Sequence, residues 1–278
     1  MYQLLLQRHR VEVYRSPQQR IQIFERDRLG MVNVNGPKCF ERRGGGTRVS
    51  NPIQICIEVE SCSHRPKVII GFTMTDFCLL ETMRVSAHRV YLFERHLERL
   101  VASAKYFGFE CEPLRLRETI LQAVAPFEAP TRVRSLLRRD GTFDLAFYAL
   151  GSDETPRRLE VSTIRVSSDD PFLYHKTTNR GVYERARAGC DPQTDVILVN
   201  ELGEITESTI ANVAVLREGQ WITPRVSCGL LPGTMRAELL AEGKIAEGTI
   251  HVRELVRGEI VRCFNSVRGV FDVGLVRL

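Results

Sequence analysis

Lys176 stands in Phe172-Leu-Tyr-His-Lys-Thr-Thr-Asn-Arg180, with aromatic side chains just before it. Such neighbours desolvate an amine and lower its pKa, because burial disfavours the charged form. A lysine tuned this way can bond a carbonyl carbon as a Schiff base. Taken alone, the same spacing also suits a solvated loop lysine. Thirty-one residues later, Glu207 lies in Glu204-Ile-Thr-Glu-Ser-Thr-Ile-Ala-Asn-Val213. Buried, its carboxylate could keep a heteroaromatic ring nitrogen protonated; exposed, it would be an ordinary hairpin acid. Gly229-Leu-Leu-Pro-Gly-Thr-Met-Arg236 leads into a helix. A helix start offers unpartnered N–H groups and a positive dipole end to a phosphate, although most such starts hold no ligand. Arg99, in His96-Leu-Glu-Arg-Leu100, carries a planar guanidinium suited to phosphate, or simply to solvent on a helix surface.

Together the four signals describe one cofactor, pyridoxal 5'-phosphate: an aldehyde for the lysine, a pyridine nitrogen for the acid, and a phosphate for the helix start and arginine. Their joint occurrence by accident is much rarer than any one alone. Only five of the 39 basic residues are lysines (Lys38, Lys67, Lys105, Lys176 and Lys244), so few amines compete for the role. No GxGxxG, GxxxxGK[ST] or HExxH motif is present. The eight cysteines, at 39, 56, 62, 78, 111, 190, 228 and 263, contain no CxxC pair. Metal-ligand spacing is therefore absent and no metal is expected.

These residues must be positioned by elements that the pattern partly reveals. Phe93, Leu97, Leu100, Ala104 and Phe107 recur on one helical face, closed by Gly108. A second helix is read over Leu114 to Val124. Val133, Ser135 and Leu137 alternate with arginines, Asp140-Gly141 turns, and Phe143, Leu145 and Phe147 alternate again, predicting a hairpin with one buried face. Gly151-Ser-Asp-Glu-Thr-Pro156 reads as a linker. Strands follow at Leu159–Val166, Val196–Val199, Ala211–Leu216, Ile250–Val252 and Ile260–Phe264, with a helix from Thr234 to about Glu242. Strands and helices are mixed on both sides of the linker, so the fold class is α+β, with a small α/β domain at 71–152 and a larger one at 157–278. Residues 1–70 show turn-forming Asn33-Val-Asn-Gly-Pro37 and Arg42-Arg-Gly-Gly-Gly46 but no sustained period, and read as a divergent, mobile leading segment without recognisable small-domain strands.

A length of 278 residues, with 43% hydrophobic and 26% charged residues, fits two packed domains and excludes a disordered, collagenous or disulfide-miniprotein chain. The net charge of +5 is uneven: residues 1–70 hold 12 basic and 6 acidic side chains, the remainder 27 and 28. The near-neutral remainder argues against a nucleic-acid surface, which needs clustered positive charge. The three leucines at the start are too short for a signal peptide, and no run approaches the roughly 18 apolar residues of a membrane helix. The expectation is a cytoplasmic protein with free thiols and no membrane contact.

From about residue 72 the chain resembles the fold-type IV pyridoxal-phosphate enzymes, the group of branched-chain and D-amino-acid aminotransferases and aminodeoxychorismate lyase. Within it the chain looks most like the lyase module fused behind para-aminobenzoate synthase component I. The matching pieces are Asp76-Phe-Cys-Leu-Leu-Glu-Thr-Met-Arg84, His96–Leu100, Ser103-Ala-Lys-Tyr-Phe-Gly-Phe109, His175–Arg180, Asp195–Glu207, Gly229–Arg236 and Asn265-Ser-Val-Arg-Gly269, in that order. Arg43-Gly-Gly-Gly-Thr-Arg-Val-Ser-Asn-Pro52 faintly resembles the end of the chorismate-using component, with Asn51 where an aspartate belongs. A shortened fusion accounts for that departure.

The resemblance implies that Lys176 bonds the cofactor aldehyde and Glu207 partners its ring nitrogen. It implies that Arg99, Leu230, Thr234 and Met235 hold the phosphate, and that Ser266 lies in the loop closing the site. Asn265 joins the substrate-binding candidates, as do Arg268, Arg84 and Arg139 on charge alone. The implied reaction is 4-amino-4-deoxychorismate lysis to pyruvate and 4-aminobenzoate, a folate precursor, with branched-chain or D-amino-acid transamination as the alternative. A non-catalytic remnant is the alternative of another class. The implied partners are a small-molecule substrate, a second copy in a homodimer, and aminodeoxychorismate synthase components.

Overall fold

The structure, a computed structural model, describes residues 77–151 and 155–277; ahead of them it describes only the backbone of six short strands. These are β1 (Leu4–Gln7), β2 (Arg10–Ser16), β3 (Gln19–Glu25), β4 (Val32–Asn33), β5 (Ile57–Glu58) and β6 (Ile69–Ile70). The first four form an antiparallel sheet in chain order, and β5 pairs with β6. Strands therefore occur where the sequence showed no sustained period. The rest of the leading segment, including the triple glycine and Asn51, lies outside the described residues, as do residues 152–154 of the expected linker. The chain divides into two compact units, Met1–Asp76 and Phe77–Leu278.

Within the second unit, a four-stranded antiparallel sheet comes first. Its members are β7 (Leu79–Ser86), β8 (Arg89–Val90), β9 (Thr131–Leu137) and β10 (Phe143–Ala149), in the order β10-β9-β7-β8. Between β8 and β9 run α1 (Phe93–Phe107) and α2 (Pro113–Val124). Proline at the first position of α2 is pre-set for a helix and has no N–H to leave unpaired. Gly108 ends α1 in the left-handed region at φ 67°. Leu79 and Leu137 face the apolar stripe of Leu100, Ala104 and Phe107, while Met83, Val85 and Val133 face Ile120 and Val124. The period-2 and period-3.6 patterns bury each other. The predicted hairpin is present, but only its β9 half is alternately buried; β10 is an edge strand that leaves Phe147 and Tyr148 exposed.

An eight-stranded sheet follows, ordered β13-β12-β11-β18-β17-β14-β15-β16. Its strands are β11 (Arg158–Val166), β12 (Thr194–Asn200), β13 (Ile205–Ser208), β14 (Asn212–Arg217), β15 (Gln220–Pro224), β16 (Ala246–Gly248), β17 (Ile260–Asn265) and β18 (Gly269–Arg277). α3 (Pro171–Tyr174), α4 (Gly181–Arg187) and α5 (Thr234–Ala241) complete the unit. β11 runs parallel to both β12 and β18. All seven residues of β12 are buried: Ile197 and Val199 join Leu159, Val213 and Leu275, while Val196 and Leu198 meet Leu173, Tyr183 and Ala186 from α3 and α4. α5 packs Met235 and Leu239 on Ala214 and Phe264.

The strand expected at Ile250–Val252 is not there. The nearby strand is Ala246–Gly248, where the missing side chain of Gly248 lets the backbone approach: a Cβ would lie 2.6 Å from Ile222 Cγ2. Ile250 is buried in a connection, and a short 3-10 turn at Val252–Glu254 follows, capped by reciprocal bonds between His251 and Glu254. Among the described residues, Cys78, Cys111, Cys190, Cys228 and Cys263 are free thiols, and no helix is long and apolar enough to cross a membrane.

Leu159 is fully buried at the centre of the large sheet's core. Leu159→Ala is expected to lower unfolding free energy by about 2–5 kcal/mol, measured by urea denaturation.

Candidate active site

Lys176 lies in a short run between α3 and α4 that is tied to the first strand of the small sheet. Leu80 N–H donates to the Lys176 carbonyl at 2.9 Å, and Thr178 N–H donates to Cys78 O at 2.9 Å. The lysine projects into a cavity of about 300 Å³ that Glu207, Arg99, Thr234, Met235, Asn265, Ser266 and Arg268 also line. Burial, reinforced by Arg99, lowers the Lys176 pKa to about 8. A much larger share of the amine is thus uncharged near neutrality than for a lysine in water.

Glu207 ends up 4% exposed on β13. Its Oε1 accepts from Tyr183 Oη–H at 2.8 Å and Leu231 N–H at 3.2 Å, and its Oε2 accepts from Asn212 Nδ2 at 3.1 Å. These donors are neutral, so burial dominates and raises the pKa to about 7. The carboxylate gains from any cation brought against it.

Glu81, by contrast, is held by a guanidinium and an imidazole. It points from β7 toward α1, 2% exposed, with Arg99 Nε donating to Oε1 at 2.8 Å and Nη2 to Oε2 at 2.7 Å. His96 Nδ1 donates to Oε2 at 2.7 Å. Although burial pushes the other way, Arg99 and His96 bring the Glu81 pKa down to about 2. Burial lowers the His96 pKa, so the imidazole is neutral and its Nε2 is free to accept from the Thr234 hydroxyl at 3.4 Å. Arg99 Nη1 donates to Pro232 O at 3.2 Å. The same carboxylate thereby orients both the arginine and the start of α5.

No side chain caps α5, leaving its first N–H groups without intrahelical partners. The turn before it is close-packed: a Cβ on Gly233 would lie 2.0 Å from Asn212 Oδ1. Asn212 also donates to Leu231 O at 2.8 Å. A helix start, a glycine cradle and an oriented guanidinium make an anion site. With the amine and the buried carboxylate in the same cavity, the donor set fits pyridoxal phosphate.

Three sequence candidates do not reach this cavity. Leu230 is 1% exposed behind its wall, and Leu231 lines it instead. Arg139 donates to Phe107 O at 2.9 Å and covers the Phe109 ring at 4.7 Å, so its guanidinium closes the end of α1. Arg84 lies on β7 beyond Thr82, opposite Arg132, and is not part of the lining. Asn265 shapes the closing loop: its Oδ1 accepts from Val267 N–H and Arg268 N–H, and its Nδ2 donates to Ile210 O.

Sequence reasoning missed Glu81, His96, Tyr183, Asn212 and Arg180, whose roles come from tertiary contacts. It also missed Arg132 and Arg134, whose alternation with buried residues was the available signal. Among the described residues no group of three or more potential ligands could hold a metal.

Residues 78–276 match the amino-transferase class IV family. The chain belongs to that family. Its members are pyridoxal-phosphate-dependent. A Schizosaccharomyces pombe protein provisionally named aminodeoxychorismate lyase is 37% identical over 198 residues, 65% of this chain and 82% of its own. A structure from Mesorhizobium loti, provisionally described as an amino-acid aminotransferase, is 37% identical with a TM-score of 0.66, covering 72% of this chain and 100% of that one. The structure of 4-amino-4-deoxychorismate lyase from Pseudomonas aeruginosa is similar in fold, with TM-score 0.62 at 20% identity over 72% of this chain and 83% of that one. The α+β fold is thus that of the fold-type IV enzymes.

The Glu81 pKa is depressed from 4.5 to about 2. Its stabilising contribution is fully present above pH 4.5 and is lost as pH falls toward 2. Glu81→Gln is therefore expected to cost about 3 kcal/mol at pH 7, with the gap to wild type closing between pH 4.5 and 2. Urea unfolding at several pH values measures it.

Proposed function

We propose that this chain is a pyridoxal-phosphate-dependent 4-amino-4-deoxychorismate lyase that releases pyruvate and 4-aminobenzoate. The observation that carries the reading is the relation to the Schizosaccharomyces pombe protein, which spans most of that protein's length. It is supported by the joint placement of Lys176, Glu207 and the α5 start in one cavity. Lys176 would hold the cofactor aldehyde, Glu207 the ring nitrogen, and Arg99, Thr234 and Met235 the phosphate. Bound there, pyridoxal phosphate supplies an electron sink for a carbanion next to the substrate nitrogen.

Lys176 Nζ would take the proton from the reacting carbon; a pKa near 8 suits a base working close to neutral pH. Glu207 would keep a proton on the ring nitrogen, and Tyr183, Asn212 and Leu231 fix its two oxygens. Ser266, whose Oγ lies 3.5 Å from Thr82 O, holds the closing loop against β7. Cleavage of the ring C–O bond would release enolpyruvate, which takes up a proton at its methylene carbon to become pyruvate; the ring left behind is aromatic, and aromatisation provides a driving force the protein need not supply. The homodimer, with aminodeoxychorismate synthase components as partners, belongs to the same proposal.

The Mesorhizobium loti relation favours a second reading, amino transfer to a keto acid with the same lysine and glutamate.

Purified protein is expected to show a cofactor absorption band near the visible edge that Lys176→Ala abolishes, and to form 4-aminobenzoate from 4-amino-4-deoxychorismate. Brisk transfer from D-alanine or leucine to 2-oxoglutarate without 4-aminobenzoate formation would establish the second reading instead. Capture of pyridoxal phosphate by the apoprotein is expected to accelerate as pH rises through about 8, where the Lys176 amine loses its proton. Following the band at several pH values measures it.

A further inference from the structure

The cavity wall holds five arginines, Arg99, Arg132, Arg134, Arg180 and Arg268, against a single acid, Glu207. Arg99 and Arg180 are held on groups at the cofactor end of the cavity. Arg99 is clamped on Glu81 and Pro232 O. Arg180 donates to Thr209 O at 2.6 Å and lies over the Tyr183 ring at 4.6 Å, beside the Glu207 cluster. Arg132 and Arg134 come from a different wall. They occupy alternate positions of β9, whose other face, through Thr131, Val133, Ser135 and Leu137, is buried. Across the sheet, Arg134 pairs with Thr82, itself a lining residue, and Arg132 pairs with Arg84.

Arg134 is exposed and carries no ion pair or side-chain hydrogen bond among the described residues, while the Arg132 guanidinium rests over the Tyr148 ring at 5.0 Å. Like charges gathered on one face of a sheet repel one another and destabilise it. A strand places alternate side chains roughly 6.5–7 Å apart on the same face. Each guanidinium can take one carboxylate bidentately.

We propose that Arg132 and Arg134 form the wall that recognises a dicarboxylate substrate, one arginine for each carboxylate, while the amine end of that substrate faces Lys176. The identity of the dicarboxylate rests on the lyase reading, since 4-amino-4-deoxychorismate carries one carboxylate on its ring and one on its enolpyruvyl arm. The pair selects against substrates with a single carboxylate, which leave one arginine without its anion. It takes the place of Arg84 and Arg139 as the source of substrate-binding charge.

The test uses the holoenzyme, with isophthalate as a dicarboxylate probe and benzoate as its monocarboxylate control, each titrated against the cofactor absorption band. Arg132→Gln and Arg134→Gln are each expected to weaken isophthalate binding by about tenfold or more while moving benzoate by less than about threefold. With 4-amino-4-deoxychorismate, KM is expected to rise by about tenfold while kcat stays within about threefold, the pattern of lost binding shared by ground and transition states. Arg134→Lys and Arg132→Lys keep the charge without the fork and are expected to recover part of the loss; they also serve if a glutamine variant loses its absorption band. Unchanged isophthalate affinity in the variants at both positions overturns the proposal, as does an equal loss for benzoate. Failure of the lyase reading looks different: wild type makes no 4-aminobenzoate, yet isophthalate binding still depends on the two arginines.

Discussion

An ionised carboxylate taken out of water is costly unless cations and hydrogen bonds surround it. Glu81 meets that condition, and the site depends on how it does so. Arg99 and His96 both come from α1, and each has a further atom to spend. Arg99 spends it on Pro232 O, and His96 on the Thr234 hydroxyl. One buried anion on the small sheet therefore fixes the orientation of a helix that packs on the large sheet. Without it, Arg99 would lose its bidentate partner and two cation-capable side chains would compete for the same space.

Glu207 is the opposite case in the same neighbourhood. Both carboxylates are buried, yet their pKa values are driven apart, to about 2 and about 7. The difference lies in the partners: a guanidinium for one, a phenol, an amide and a backbone N–H for the other. Carboxylates separated in this way can take separate tasks. Glu81 is electrostatically saturated and serves as structure. Glu207 remains responsive to a positive ring placed against it. Lys176 senses both, along with Arg99 and Arg180, but burial outweighs them and lowers its pKa.

How much of this was legible follows from which interactions are local. The α1 stripe of Phe93, Leu97, Leu100, Ala104 and Phe107 and its Gly108 terminator were readable because helix periodicity and capping act within a few residues. β9 was readable from its alternation, and β12 from its apolar run. Lys176 and Glu207 could be singled out only jointly, as two ends of one cofactor. The helix stripe gave no warning that His96, buried on α1, would face Glu81, because that pairing spans two elements. Arg139 misled for the same reason, its charge being visible in sequence and its Phe107 and Phe109 contacts not. Ile250 was apolar enough for a strand, but the pairing moved to Gly248, where absence of a side chain was the deciding property.

Gly233 carries a consequence beyond the turn it occupies. Any Cβ there would displace the Asn212 amide, and that amide is one of the donors holding Glu207. The start of α5 and the buried Glu207 carboxylate are thus linked through a single missing methyl group. A side chain at 233 finds room only if the Asn212 amide moves, and moving it loosens a donor from the Glu207 carboxylate. What looks like a rule about turn geometry is also a rule about the partners of a buried acid.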